Sequence, residues 1–296
     1  MQLELTSAPE TLLMPPREFL AVRAAEVSSG ARSNVAVSFS HVRKLFANGR
    51  GVVEAISDLS FDVKRGEYAC ILGRSGCGKS TTVNLLLGIN KPTSGRISIF
   101  GIDPIVDFAK LRGHLACIFQ SDRLLPWRSA IDNVRLPLEI LGLDERKLEV
   151  GPLHWLECLG LRGFKHAYPV ELSGGMRQRV ALARALVSNP DLVIADEAFA
   201  HLDEVTSKSL RADFHRLAKE SGKTVIHITH SIEEAINLAD RIIVFGRPGH
   251  VVADIDDIRL AAADNRDELR SRIREHLELG SSIESTERSD QANEQP

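Results

Sequence analysis

The chain has 296 residues, 40 acidic and 37 basic side chains, a formal net charge of −3 and four cysteines. No uninterrupted apolar stretch approaches the roughly 18 residues of a membrane-spanning helix, and no basic, apolar leader opens the chain. Nor do the cysteines make a disulfide framework or a C-x-x-C pair, so the expectation is a globular protein of one large domain or two modest ones in a reduced, cytosolic compartment.

Residues 1–34 contain Pro9, Pro15, Pro16 and the stretch Ser28-Ser29-Gly30, and read as a disordered extension with a short amphipathic helix near Phe19–Glu26. Alternating apolar residues predict strands over Val35–Phe39 and Leu59–Val63, with a turn around Asn48-Gly49 between them. Tyr68–Leu72 is a compact apolar run of the buried-strand kind, ending in glycines. Residues 80–89 read as a helix, and Arg96–Phe100 and His114–Phe119 as strands. From about 121 to 172 the strand signal stops. Apolar residues recur there at helical spacing, in Ile131–Leu141 and Leu153–Leu161, which predicts a helical insertion. Helix Met176–Val187, strand Leu192–Ala195, helix Ser207–Lys219, strand Thr224–Ile228, helix Ile232–Ala239 and strand Arg241–Phe245 follow. Strands alternating with helices predict an α/β domain with a mostly parallel sheet covered on both faces.

Residues 251–296 form an acidic tail of 12 acids and six bases. A short helix is expected there over about 264–279, with Leu269, Ile273 and Leu277 on one face, and Gly280–Pro296 is expected to be disordered. The middle of the chain, 35–250, is left at +4. That is compatible with a polyanionic ligand such as a nucleotide and too slight to argue for nucleic acid.

Gly73-Arg74-Ser75-Gly76-Cys77-Gly78-Lys79-Ser80 fits G-x-x-x-x-G-K-[ST] at every fixed position, after a buried strand and before a helix. The glycines let backbone N–H groups face a phosphate, and the helix adds the positive end of its dipole. Lys79 is placed to reach the β- and γ-phosphates and Ser80 to ligate Mg²⁺, with Thr81 continuing the binding segment. Cys77 is either a redox-sensitive thiol or a small filler. Cys70, Cys117 and Cys158 sit in apolar contexts and read as core. The run Leu192–Ala195 delivers Asp196 and Glu197 to the carboxyl edge of the sheet, where open α/β sheets bind ligands. Asp196 is the candidate for the Mg²⁺ shell, and Glu197 the candidate that polarises the attacking water.

Leu172-Ser173-Gly174-Gly175-Met176-Arg177-Gln178 opens a helix, where the Ser173 hydroxyl and the unobstructed amides of Gly174 and Gly175 form a second anion site. This segment resembles the signature motif of ATP-binding cassette (ABC) ATPases, in which two nucleotide domains pair head to tail and the signature of one caps the ATP held by the other. Other landmarks of that family follow in order. Phe46 is similar to its adenine-stacking aromatic, Gln120 to its Q-loop glutamine, Leu202-Asp203 to the end of its D-loop and His230 to its switch histidine. His227, mid-strand, reads instead as packed core.

The resemblance covers roughly 35–250. It implies a P-loop NTPase fold of the ABC type, with a mostly parallel core sheet, an antiparallel β subdomain and an inserted helical subdomain. It also implies ATP and Mg²⁺ as cofactors and catalytic roles for Glu197, His230 and Gln120, with Gln120 also reaching the metal.

Leu124-Leu125-Pro126-Trp127-Arg128, Asn133-Val134 and Arg247-Pro248-Gly249 are similar to importer ATPases of the nitrate/sulfonate/taurine group. That implies a subunit at the cytoplasmic face of the membrane, working with a second ATPase subunit, separate permease subunits and, indirectly, a solute-binding protein, and with no nucleic acid. Trp127 is then either partner-facing or core of the helical subdomain. Exporter ATPases and soluble ABC proteins are the rivals. Translation-type members carry two cassettes, and repair-type members place a long coiled coil between phosphate loop and signature, which the chain between Lys79 and Ser173 has no room for. Three positions depart from the family pattern: Ala198 stands where Pro is usual, His201 at a usually small D-loop position, and Ser231 where an acid is common. Loss of the proline ring predicts a less rigid Glu197.

Overall fold

The computed structural model describes residues 34–292 apart from 50, 144 and 201–203. The expected N-terminal extension with its helix near 19–26, together with His201, Leu202 and Asp203, therefore lies outside the described residues. The described strands are β1 (Val35–Asn48), β2 (Gly51–Lys64), β3 (Tyr68–Gly73), β4 (Ser94–Ile99), β5 (Leu115–Ile118), β6 (Leu192–Asp196), β7 (Thr224–Thr229), β8 (Arg241–Gly246) and β9 (Gly249–Ile255). The helices are α1 (Lys79–Leu86), α2 (Ala130–Ile140), α3 (Glu145–Cys158), α4 (Gly174–Leu186), α5 (Glu204–Glu220), α6 (Ile232–Leu238) and α7 (Ile258–Ala292). They fall into two compact units, one formed by the described residues of 34–111, 194–197 and 224–292, the other by those of 112–193 and 198–223.

In the first unit the strand order is β4-β1-β2-β9-β8-β3-β7-β6. β3 lies between β7 and β8 and runs parallel to both. Every residue of β3 and β7 is buried, as near-continuous apolar runs become when both faces of a parallel sheet are covered. β1 pairs antiparallel with both β2 and β4, and β2 alternates buried and exposed side chains along its second half, in keeping with one packed face. Phe39 of β1 stacks on Phe61 of β2, ring centroids 4.7 Å apart, in that buried layer. Parallel and antiparallel parts thus meet in one α/β unit, as the family resemblance implies.

Two features depart from the sequence reading. Residues 251–255, which read as tail, belong to β9, a strand of the sheet parallel to β2 and antiparallel to β8. Its acids hid it: Asp254 pairs across the strands with Arg241 of β8, which burial alone would disfavour and whose pKa this pairing raises. The tail helix is also longer than expected. It starts at Ile258, breaks at Asn265 (φ −155°) and continues to Ala292, through residues expected to be disordered. Leu269 and Ile273 are buried, as their shared face predicts, and Arg266 and Arg270 reach Glu233 of α6. The tail therefore docks on its own unit, a point the sequence left open.

The second unit holds β5 and helices α2 to α5. Asn133 organises the segment before α2. It is fully buried, its amide donates to the carbonyls of Leu125, Arg128 and Ser129, and its side-chain oxygen accepts the Leu125 N–H at 2.8 Å. A buried amide so satisfied locks the backbone around it. The loop it closes presents Trp127 at 71% exposure, so Trp127 is not core.

Candidate nucleotide-binding site

The first unit brings the carboxyl ends of its central strands together. β3 runs out into the phosphate loop, and α1 begins at Lys79 behind the N-cap Gly78. Gly76 (φ 80°) and Gly78 (φ 89°) hold left-handed backbone that a side chain would strain. Ser75, Gly76, Gly78, Lys79, Ser80 and Thr81 line an open cleft. Val53, Glu54 and Ala55 of β2 line it too, with Glu197, His230 and Arg247. Lys79 is buried in the loop, its Nζ donating to the Gly73 carbonyl at 2.6 Å and the Arg74 carbonyl at 3.1 Å.

Cys77 is turned away from the cleft and is 1% exposed. Burial pushes its thiol pKa up despite the pull of Lys79, in keeping with a small filler side chain. Cys70 is core, but Cys117 and Cys158 are only half-buried, short of the core positions expected.

Asp196 ends β6, and Glu197 follows it at φ 46° with its N–H donating to Ile228 of β7 at 2.9 Å. This bond ties the Glu197 backbone to β7 and does not depend on a proline at 198. In the second unit, the Ala198 carbonyl is likewise tied to the Gln178 side chain at 2.6 Å. His230 lies at the end of β7, its Nδ1 3.6 Å from Glu197 Oε2. The two side chains predicted to act on the γ-phosphate and its water therefore face one another.

A closed ring of hydrogen bonds holds the segment that carries His230. The Thr229 hydroxyl donates to Glu234 at 2.7 Å, the Ser231 N–H to Thr229 Oγ1 at 3.0 Å, and the Glu234 N–H to Ser231 Oγ at 3.3 Å. Ser231, which departs from the family acid, thereby serves as N-cap of α6. Glu234 was not singled out from the sequence, because its partner Thr229 is reached only across a strand end. Glu234→Ala is expected to lower kcat for ATP roughly tenfold with KM nearly unchanged, since a slightly misplaced group costs rate and not ground-state binding. Glu234→Gln, whose amide oxygen still accepts from Thr229, should stay near wild type. Steady-state ATPase assays on both variants check this.

His227 is fully buried, with the Tyr68 hydroxyl 2.9 Å from its Nδ1, as a packed core histidine. Phe46 is 36% exposed, beneath the Lys44 ammonium, and pairs across the β1–β2 ladder with Val53, which lines the cleft. Gln120, Ser173, Gly174 and Gly175 belong to the second unit. There Gln120 is exposed after β5, and Ser173 caps α4 by accepting the Met176 N–H at 3.3 Å. Asp203 lies outside the described residues. Arg247, in sequence only part of a family-like Arg-Pro-Gly segment, lines the cleft as well.

Ser80 lines the cleft, and Asp196 precedes the cleft-lining Glu197 in the chain; the two fit a magnesium nucleotide. Mg²⁺ takes oxygen ligands and is commonly held by one or two protein groups together with substrate phosphates. Ser80 and Asp196 are hard-oxygen donors of that kind, at the start of α1 and the end of β6.

A family model described as ABC transporter matches residues 56–200. The chain is 40% identical over 225 residues to the nitrate import ATP-binding protein NrtD of Synechococcus elongatus, covering 74% of this chain and 80% of that one. It is 42% identical over 226 residues to the taurine import ATP-binding protein TauB of Rhizobium johnstonii, covering 74% and 84%. Among solved structures it is similar to the dimeric, post-hydrolysis ATP-binding cassette MJ0796 bound to ADP and Pi, with a TM-score of 0.68, 32% identity, and coverage of 74% and 98%. With the phosphate loop, Glu197 and His230 gathered in one cleft and relatives this close over most of their length, the chain belongs to the ABC transporter family and is an ATP-binding, ATP-hydrolysing member of it.

Proposed function

We propose that the chain energises uptake of a small anionic solute of the nitrate, sulfonate or taurine kind through separate membrane permease subunits. One observation carries the enzymatic half: Lys79, Ser80, Glu197 and His230 line a single cleft. The kinship to nitrate and taurine import subunits supports the transport half. No helix among the described residues is long and apolar enough to cross a membrane, and the exposed Trp127 is a surface suited to meeting a membrane-spanning partner.

In this reading two copies pair head to tail at the cytoplasmic face of the membrane, a solute-binding protein delivers the cargo, and Ser173, Gly174 and Gly175 of each copy cap the ATP of the other. Asp203 contributes at the same junction, Phe46 stacks on adenine, and Gln120 senses the metal and the water. Ser80 and Asp196, with Gln120, would hold Mg²⁺, which would neutralise phosphate charge. Lys79 compensates charge on the β- and γ-phosphates. Glu197 orients a water and takes its proton as the water oxygen bonds to the γ-phosphorus. The bond to the ADP oxygen breaks, and His230 steadies the γ-phosphate opposite Glu197.

The test is reconstitution of the full chain with its permease and solute-binding partners in vesicles, followed by ATPase assay with nitrate, taurine and an alkanesulfonate. One of these solutes should stimulate turnover when loaded on the binding protein. Turnover that responds to none of them, or a complex that moves cargo outward, would sink the reading.

A further inference from the structure

The turn between β8 and β9 lies directly against the phosphate loop. A Cβ on Gly249 would meet the Cys77 carbonyl at 3.2 Å and the Ala55 carbonyl at 3.0 Å, and one on Gly78 would stand 3.5 Å from Gly249 Cα. Arg247 leads this turn. Its guanidinium carbon is 3.5 Å from where a Cβ on Gly76 would stand, and Arg247 lines the same cleft as Lys79 and Ser80. The turn is also backed by the tail helix. The Arg247 N–H donates to the Gly280 carbonyl at 3.0 Å, and Gly280 is seated so closely on β8 that an added Cβ would come within 2.9 Å of Gly246 Cα. A side chain at 280 has no room without moving α7 off the turn.

We propose that the Arg247 guanidinium is a second cationic ligand for the phosphates of the bound nucleotide, and that Gly280 of α7 is the positioning residue that holds Arg247 against the loop. The inference rests on the assignment of the Gly73–Ser80 loop to ATP. The charge balance of the cleft favours it. A nucleoside triphosphate brings several negative charges to a lining that already holds Glu54 and Glu197, and Lys79 alone is a single point charge. Arg247 adds a planar fork of donors, permanently charged, that matches phosphate oxygens. Lys79 reaches the phosphates from within the loop; Arg247 comes to the same loop from the neighbouring turn. The tail helix, which the ATP-binding motifs do not include, thereby acquires a role in nucleotide binding.

The experiment measures MgATP affinity of the full-length chain by titration calorimetry, for wild type, Arg247→Ala, Arg247→Lys, Gly280→Leu and Lys79→Ala. Arg247→Ala is expected to weaken binding about tenfold, the low end of a charge-assisted hydrogen bond because the side chain is exposed, and to make affinity less sensitive to salt. Arg247→Lys should recover part of the loss, keeping the charge without the fork. Gly280→Leu should reproduce the Arg247→Ala loss. Wild-type affinity in Arg247→Ala overturns the proposal. A loss in Arg247→Ala beside wild-type affinity in Gly280→Leu overturns the positioning role of Gly280. If Gly280→Leu fails to fold, the exposed Arg247 decides the ligand role by itself, and Gly280→Ala, expected to show a smaller loss, decides the positioning role. Lys79→Ala keeps the two levels apart: wild-type affinity there would refute the loop assignment, whatever Arg247 does.

Discussion

Glu197→Gln is expected to bind MgATP as wild type does and to hydrolyse it some 10²- to 10⁴-fold more slowly, the range a general base contributes. Glutamine keeps the shape of the side chain, so the φ 46° backbone and the Glu197 N–H bond to Ile228 should persist. What is lost is the carboxylate that takes the water proton, together with the charge that faces His230 at 3.6 Å. Because binding survives while turnover does not, the variant should also accumulate as an ATP-bound pair of chains. Single-turnover phosphate release and size-exclusion chromatography with and without ATP check both halves. Turnover near wild type would place the base elsewhere in the cleft. Loss of ATP binding would mean that Glu197 serves the loop and not the water.

Lys79→Ala should act on the other half of the cycle. Its ammonium is buried in the phosphate loop and held in place by the Gly73 and Arg74 carbonyls. Those bonds pre-position the charge, so removing it deletes an interaction whose ordering cost the fold has already met. A charged hydrogen bond is worth roughly 2–3 kcal/mol, which corresponds to about 30- to 150-fold in Kd for MgATP. MgADP should be affected less, since it lacks the γ-phosphate. Equal losses for the two nucleotides would confine Lys79 to the β-phosphate. Equilibrium binding of both nucleotides to the same preparation separates these outcomes, and a thermal melt in the absence of nucleotide shows whether the two carbonyls tolerate the loss of their donor.

The two variants sample residues of different visibility from sequence. The phosphate loop and the Asp196-Glu197 pair are each contiguous, and each sits at the end of an apolar run long enough to be read as a buried strand. Contiguity with a recognisable strand is what places them at the same sheet edge. His230 became legible only through the order of family landmarks, because a single histidine after a strand has many possible fates. His227, three positions earlier, shows the difference: in the structure it is sealed under Tyr68, whereas His230 faces the cleft. β7 is covered on both faces, so a histidine inside it is sealed, whereas His230 stands just past its end.

Other residues were invisible for a physical reason. β9 carries Asp254, which looks out of place in a strand until Arg241 is seen beside it on β8. Gly280 reads as a helix terminator, and glycine does weaken helices. Inside α7 it stands where Gly246 leaves no space for a side chain, so packing overrides propensity. Glu234 looks like a helix-surface acid at the start of α6, and only the fold brings the Thr229 hydroxyl to it.

The amino-acid sequence by itself pointed to the chemistry: a phosphate loop with Lys79 and Ser80, an acidic pair at a strand end, and a segment at Ser173–Gly175 that resembles the family's signature. These are local patterns, in which the residues that act together are neighbours in the chain or lie at set distances from an element end. The tertiary structure alone decided that Arg247 stands over Gly76, that Glu234 steadies the segment bearing His230, and that the acidic tail is a helix seated on the sheet by Gly280. Such contacts join residues far apart in the chain, and they exist only once strand order and register have set which backbones meet.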